Sequence, residues 1–389
     1  MKTLLSKRMW LLLLAAVLVT MFAYTHNAFG SRYSYKETAM PEHVEMSARL
    51  QRLYSKTKLL CFGRYAIEVP AEAQLTYGRV GDVDIVSDRL NNMEEIATTK
   101  LAKLKREDNS MEEIYNDKGP VPDSWQIRYF PNESWKERGA LMYVTYIHKG
   151  DHIFSMDDVV LHDDKDATQV AKRQRSFVDR LRLRVEGDTP RDPGFCIPHA
   201  FLAESAYANQ EMDSAGLFIP SLPDVSFSVH SNKDAYADYD KNEFETVWRS
   251  KLSLIGRINE AKKDQPLTYP SHTLLRQGKR DVHHWHGEES LIKRKDGSHD
   301  FEWALVGTPR DVANPSEFNA VMYSKVEHNK VGAAREASLS DDEAVALFDR
   351  LLAGFKFRVQ VPGAPAGSYY FPFDPAVPAT PLPTAKQQR

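Results

Sequence analysis

The chain carries the same order of sequence signals twice, and this repetition restricts its fold more than any other feature. An aliphatic residue, a proline, a short variable stretch and an aliphatic–hydroxyl–aromatic triplet occur at Val69-Pro70 and Leu75-Thr76-Tyr77. They recur at Ile219-Pro220 and Val225-Ser226-Phe227. Upstream of the first copy, Tyr65, Ile67 and Val69 alternate as a half-buried strand does. A helical pattern follows each copy. Asp88 to Arg106 lacks Gly and Pro and repeats Leu90, Met93, Ile96, Leu101 and Leu104 at helical spacing, and Asn242 to Ala261 does so with Phe244, Val247, Trp248, Leu252, Leu254 and Ile255. Strand-like runs come next, at Ala140 to Ile147 and His152 to Leu161, then at Val282 to Arg294, Asp300 to Val306 and Ala320 to Val326. Each copy closes on a helix leading into a strand, the first through Phe177 to Leu181 and Arg182 to Val185. The second runs from Leu347 to Leu352, with Gly354 as its stop and Phe355 to Val361 as the strand.

This order predicts an α+β protein with two structurally similar domains from an internal duplication, each a mostly antiparallel sheet packed with helices. The first domain covers residues 57–187 and the second 188–361, joined by the polar, Pro-rich Asp188 to Pro193. Residues 31–56 read as a linker. Residues 362–389 form a Pro-rich tail with no expected helix or sheet, either loosely held by one aromatic anchor or docked on the body or on a partner through Tyr369, Tyr370, Phe371 and Phe373.

Lys2, Lys7 and Arg8 precede an apolar run from Met9 to Tyr24, and Ala28-Phe29-Gly30 places small residues at a cleavage position. The run is long for a signal peptide core and short for a membrane helix, which wants roughly 20 residues. Residues 1–30 are therefore expected to be a cleaved signal peptide or an inner-membrane anchor through residues 9–24. Basic residues stay cytoplasmic, so the body is expected in the periplasm. Net charge is −3 for the whole chain and −6 once the basic N-terminus is set aside. Such a body lacks the basic excess that nucleic-acid recognition needs.

Signatures of catalysis are missing from the sequence. There is no Gly-x-Ser-x-Gly elbow, phosphate-binding glycine loop, dinucleotide fingerprint or His-Glu-x-x-His helix. No catalytic residue, cofactor or metal site is assigned. His283, His284 and His286 form the one metal-like cluster; on a strand His284 and His286 share a face while His283 points away. Two imidazoles are too few for a zinc site. The acidic pairs Asp157-Asp158, Asp163-Asp164 and Asp341-Asp342 lack a calcium-loop pattern, and Ser340 with Asp341-Asp342-Glu343 reads as a capped helix start. Cys61 and Cys196, the two cysteines, open matching strands. They are either a disulfide, as an oxidising compartment favours, or two small buried hydrophobes.

The segment Cys61-Phe62-Gly63-Arg64-Tyr65-Ala66-Ile67-Glu68-Val69-Pro70, with Gly194-Phe195-Cys196, Gly287-Glu288-Glu289 and Phe301-Glu302-Trp303, resembles motifs of a family of bacterial immunity proteins. These are the two-domain immunity proteins cognate to type VI secretion phospholipase effectors, and the resemblance spans roughly residues 57 to 360. It implies a periplasmic inhibitor that grips a lipase between two lobes and blocks its catalytic cleft or lid. The motifs do not mark the contact residues. Candidates are the loop Phe130 to Arg138, with Phe130 and Trp135, and the segment Ala206 to Leu217, ending at Leu217; each reads equally well as an ordinary exposed connection. Two other readings stand beside it: an exported metal-binding or hydrolytic protein using His283 to His286, and an envelope adaptor.

Overall fold

The computed structural model describes residues 36–37, 41–80, 83–87, 92–161, 164–185, 187–207, 210–325 and 336–373. The apolar run at 9–24, the cleavage position at 28–30 and the tail beyond 373 lie outside the described residues.

After β1 (Lys36–Glu37) and α1 (Ala48–Leu53), the first unit runs β2 (Thr57–Phe62), β3 (Tyr65–Pro70), β4 (Gln74–Val80), β5 (Val83–Ser87), α2 (Met93–Glu107), β6 (Glu112–Lys118) and β7 (Ser124–Phe130). It continues through α3 (Glu133–Glu137), β8 (Ala140–Lys149), β9 (His152–Leu161), α4 (Asp164–Arg180) and β10 (Leu181–Leu183). The second unit runs β11 (Gly194–Ile197), β12 (Ala200–Ala203), β13 (Met212–Phe218), β14 (Ser226–Asn232), α5 (Lys241–Glu243), a π-helical turn (Phe244–Trp248), α6 (Arg249–Leu252) and α7 (Leu254–Asp264). Then come β15 (His272–Val282), β16 (Trp285–Arg294), β17 (His299–Leu305), β18 (Glu317–Tyr323), α8 (Asp341–Ala353), β19 (Phe355–Val359) and, last, β20 (Tyr369–Phe371).

The duplication is visible in the sheets. The first unit orders its strands β5-β9-β8-β7-β6, and the second repeats this as β14-β18-β17-β16-β15. The second sheet is longer, with β1 added beside β15 and with β13 and β4 added beside β14. Local chemistry fixes the ends of the elements. Gly150, at φ +61°, completes the turn between Lys149 and His152, which pair across β8 and β9. Ser340 and Glu343 form a reciprocal capping box at the start of α8, as the sequence indicates.

The two units are interlocked by exchange. The opening hairpin of the first unit, β2-β3, takes the closing strand of the second, β19, as its neighbour. The opening hairpin of the second unit, β11-β12, takes the closing strand of the first, β10. Side chains follow the backbone. Phe62, Tyr65 and Ile67 are buried in one core with Trp285, Phe301 and Phe348, whereas Ile197 and Ala200 are buried with Ile147, Phe154 and Phe177.

Several expectations need correction. Leu75-Thr76-Tyr77 lies in β4, but Val225-Ser226-Phe227 leads into β14, whose topological equivalent is β5; the repeated triplet is one strand out of step. Both triplets follow a short turn, closed by Ala73 N to Pro70 O in one case and by Leu222 N to Ile219 O in the other, so the local pattern matches where the topology does not. Val282 to Arg294 is not one strand, because His283 and His284 are the turn between β15 and β16. The helix expected over Asn242 to Ala261 is broken where Ser253 leaves helical geometry and caps α7. Tyr369–Phe371, placed in an unstructured tail, pairs in parallel with β19 as β20.

Candidate partner-binding site

The segment Cys61 to Pro70 builds the joint between the units. Cys61 and Cys196 are disulfide-bonded, with Cα atoms 5.8 Å apart. Beside the bond, Gly63 N donates to Cys196 O and Cys196 N to Gly63 O, both at 2.8 Å. Arg64, next in the hairpin turn, enters the second unit. Its Nε and Nη2 each reach the Glu211 carboxylate at 2.8 Å, and its guanidinium lies 4.1 Å from the Phe195 ring centroid and 4.3 Å from that of Tyr207. The pair is buried, and Arg64 also donates to Glu204 O and Ala206 O. Tyr65 points the other way, its hydroxyl 2.8 Å from Ser231 Oγ and its ring 5.1 Å from both Phe355 and Phe357.

Arg358 on β19 closes the joint from the opposite side. It is buried against Phe201 and donates to the carbonyls of Pro190, Asp192 (2.9 Å) and Gly194 (2.8 Å), tying down the Pro-rich connection. Burial lowers its pKa, with nearby Asp192 opposing. Asp213 is the unusual acid here. Its carboxyl occupies the space over Gly63, where a Cβ would fall 2.1 Å from Asp213 Cγ, and Gly63 itself sits at φ +49°. Burial, reinforced by Glu211 and opposed by Arg64, pushes the Asp213 pKa up to about 7.

The other motifs are also structural. Gly287 leaves room for Trp303, Glu288 accepts from Ile255 N at the start of α7 (2.8 Å), and Glu289 pairs with Arg276 (2.6 Å). Arg276 also holds Asp349 of α8 at 2.5 Å. Phe301 and Trp303 are core residues, and Glu302 between them reaches Arg257 at 2.7 Å.

The three candidate contact residues do not come together. Phe130 ends β7 and is buried. Leu217 lies in β13 opposite Leu75 and Phe227, 4% exposed in the main core, and is not on a connection. The segment from Ala206 ends as a strand because Asp213, Ala215 and Leu217 alternate inward. Trp135 is half-buried on α3, where Asn132 caps its backbone N–H, and alone of the three keeps part of its ring at the surface.

The histidines disperse. His283, at φ +57°, and His284 form the turn; His284 Nε2 lies 2.9 Å from Ala313 O, and His286 Nδ1 lies 3.0 Å from Asp281. Burial lowers the pKa values of His283 and His284, which favours neutral imidazoles. Among the described residues, no three His, Cys, Asp or Glu side chains converge on a metal position. Asp158 pairs with Arg173 (2.6 Å), while Asp341 pairs with Lys293 (2.7 Å) and His299 (3.0 Å).

Three open features went unnoticed in the sequence. A groove of about 550 Å³ runs between α2 and β6. A hollow of about 290 Å³ beside the joint is lined by Pro193, Tyr207, Val361 and Phe373. Tyr239 and Val247 are exposed beside Trp248, on and before the π-helical turn. The last could have been read from the aromatic run Tyr236, Tyr239, Phe244 and Trp248; the first two depend on pairing between distant elements.

Two family models match the chain. The one described as Tle cognate immunity protein 4 N-terminal domain covers residues 58–184, and the one described as Tle cognate immunity protein 4 C-terminal domain covers residues 188–360. The structure is similar to the apo immunity protein TplEi of the type VI secretion system of Pseudomonas aeruginosa, at 21% identity and TM-score 0.55, over 78% of this chain and 97% of that one. The same protein complexed with an "L" peptide gives 21% identity and 0.55, over 78% and 99%. A chain of the Tle4–Tli4 complex gives 21% and 0.57, over 78% and 97%. At this identity the structural likeness is one of fold. No curated protein matches the sequence.

Proposed function

Because the chain belongs to the Tle cognate immunity protein 4 family through both of its domains, we propose that it binds and inhibits a cognate type VI secretion phospholipase effector. The observation that carries this reading is the pair of family matches, which together take in both repeated units and the joint between them. Two solved structures of similar fold support it, that of the Tle4–Tli4 complex and that of TplEi complexed with a peptide. The work is binding, not catalysis, and its result is a blocked catalytic cleft or an immobilised lid. The basic, apolar N-terminus supports action in the periplasm, either after cleavage or from an anchor through residues 9–24. An acidic body also favours encounter with a basic patch on the effector.

The test is calorimetry together with phospholipid hydrolysis, using the exported protein and the phospholipase encoded beside it. One-to-one binding that abolishes hydrolysis is expected. Absence of binding defeats the reading. Rescue of a cell from a periplasmic lipase by protein lacking residues 1–30 contradicts the proposed location.

A further inference from the structure

Strand β6 is the outer edge of the first sheet, and β15 is its topological equivalent in the second. The two edges are treated differently. β15 is covered by an extended segment of the same chain, β1, which pairs with it in parallel, Lys36 opposite Thr273 and Glu37 opposite Leu274. Among the described residues no strand pairs with the outer edge of β6. A bare edge presents unpaired N–H and C=O groups to any extended chain.

The groove between α2 and β6 gives this edge a chemical preference. Glu113 and Asn116 lie opposite Tyr129 and Ile127, so they face α2, whereas Asp117 lies opposite Gln126 on the other face. Leu101 and Met111 provide the apolar floor, and Lys105 closes one end by donating to Asn109 O and Met111 O. Glu113 and Asp117 are exposed and have no ion-pair partner among the described residues. A strand laid along β6 sends alternate side chains into this groove. Self-pairing centred on Tyr115 brings Asp117 of a second copy, and not a basic residue, to the position opposite Glu113, so it leaves both acids without a basic partner. A different chain with basic residues at those places suits the edge better.

We infer that β6 is a β-augmentation site for an extended segment of the phospholipase effector. That segment adds as a further strand, seats an apolar side chain between α2 and β6, and sets basic side chains against Glu113 and Asp117. The inference rests on the proposed inhibition of such an effector.

The test is hydrogen exchange on the exported protein, free and bound to the phospholipase encoded beside it, with binding of two surface variants. The amides of 112–118 that point away from β7 are expected to exchange at least tenfold more slowly in the complex. Glu113→Lys reverses the charge and Ala102→Trp fills the groove from the exposed face of α2. Each is expected to weaken binding at least tenfold while circular dichroism and Tm stay unchanged. A tight complex with unchanged exchange at 112–118 and both variants binding normally overturns the inference and leaves the inhibitory function standing. Protection of the outward-pointing amides of β6 already present in the free protein also overturns it, since the outer edge is then covered by this chain. If the unaltered protein does not bind the phospholipase, the functional reading fails and takes this inference with it.

Discussion

Arg64 and Glu211 form a two-point ion pair across 147 residues of chain, with side chains only 4% and 6% exposed, and it is the polar centre of the joint between the repeats. The pair is closed in by the rings of Phe195 and Tyr207 against the guanidinium and by two backbone carbonyls.

Removing one member strands a charge in the interior. Arg64→Ala or Glu211→Ala is therefore expected to lower stability by about 3–5 kcal/mol. Because the pair links the units, both should be lost in one urea transition, followed by tryptophan fluorescence. The double variant Arg64→Met with Glu211→Leu leaves no buried charge and is expected to recover part of the loss. A double variant as unstable as the sum of the two singles refutes this account of the pair.

The exchange of hairpins predicts that the repeats do not behave as separable domains. A fragment of residues 57–187 keeps β2-β3 without β19 and leaves β10 without β12. A fragment of residues 188–361 has the reciprocal defects, and its main core lacks Phe62, Tyr65 and Ile67. Each fragment alone is expected to show poor dispersion in NMR spectra, and mixing the two should restore a folded complex. A well-dispersed, cooperatively unfolding single fragment defeats the prediction.

The duplication was legible because helix periodicity and the closing helices, such as Phe348 to Leu352, depend on local spacing. Which hairpin joins which sheet was not legible. Phe62 and Ile67 alternate identically whether they pack on their own repeat or on the other, so no local pattern separates the two outcomes. β6 and β7 were missed for a related reason. Glu112 to Lys118 is a polar edge with no apolar alternation, and it becomes a strand only by pairing with β7. The joint was the most legible site by composition, since Gly63, Arg64 and Cys61 stand together in one short motif. Its partners Glu211, Asp213 and Arg358 are far away in sequence and carry no signal of their own.

Leu217 and Trp135 illustrate the difference between a fold residue and a surface residue. Leu217→Ala is expected to destabilise the protein by about 2–5 kcal/mol, because it empties space in the main core. Any loss of inhibition should then disappear when the variant is assayed well below its Tm. Trp135→Ala, from a half-buried position on a short helix, should cost less. Thermal unfolding of the two variants side by side checks this, and equal losses would contradict the burial argument.

The disulfide joins the two opening hairpins and closes a loop spanning 135 residues. Replacing both cysteines with alanine frees the unfolded chain and is expected to lower stability by about 2–5 kcal/mol. The fold should survive, because the hydrogen bonds between Gly63 and Cys196 use backbone atoms only. Equilibrium denaturation of the oxidised protein and the double variant measures the difference. Identical midpoints would show that the bond adds no stability.

Asp213 should make stability depend on pH in the neutral range. Its pKa is about 7 in the folded protein against an ordinary value of 3.8, so the folded state holds the proton more tightly. The stability contributed by the neutral acid is complete below about pH 4 and is lost as pH rises through 7. A shift of this size corresponds to roughly 4 kcal/mol, an upper figure because relaxation around the ionised group reduces it. Glu211, Arg64 and Tyr65 face the site, and the negative charge of Glu211 adds to the cost of ionising Asp213. Asp213→Asn keeps the shape over Gly63 and the acceptor for Arg64 N–H but cannot ionise. It is expected to flatten the pH profile between 5 and 8 and to be more stable than the native protein at pH 8. Chemical denaturation at several pH values decides the matter; parallel profiles for the two proteins would mean that Asp213 does not titrate in this range.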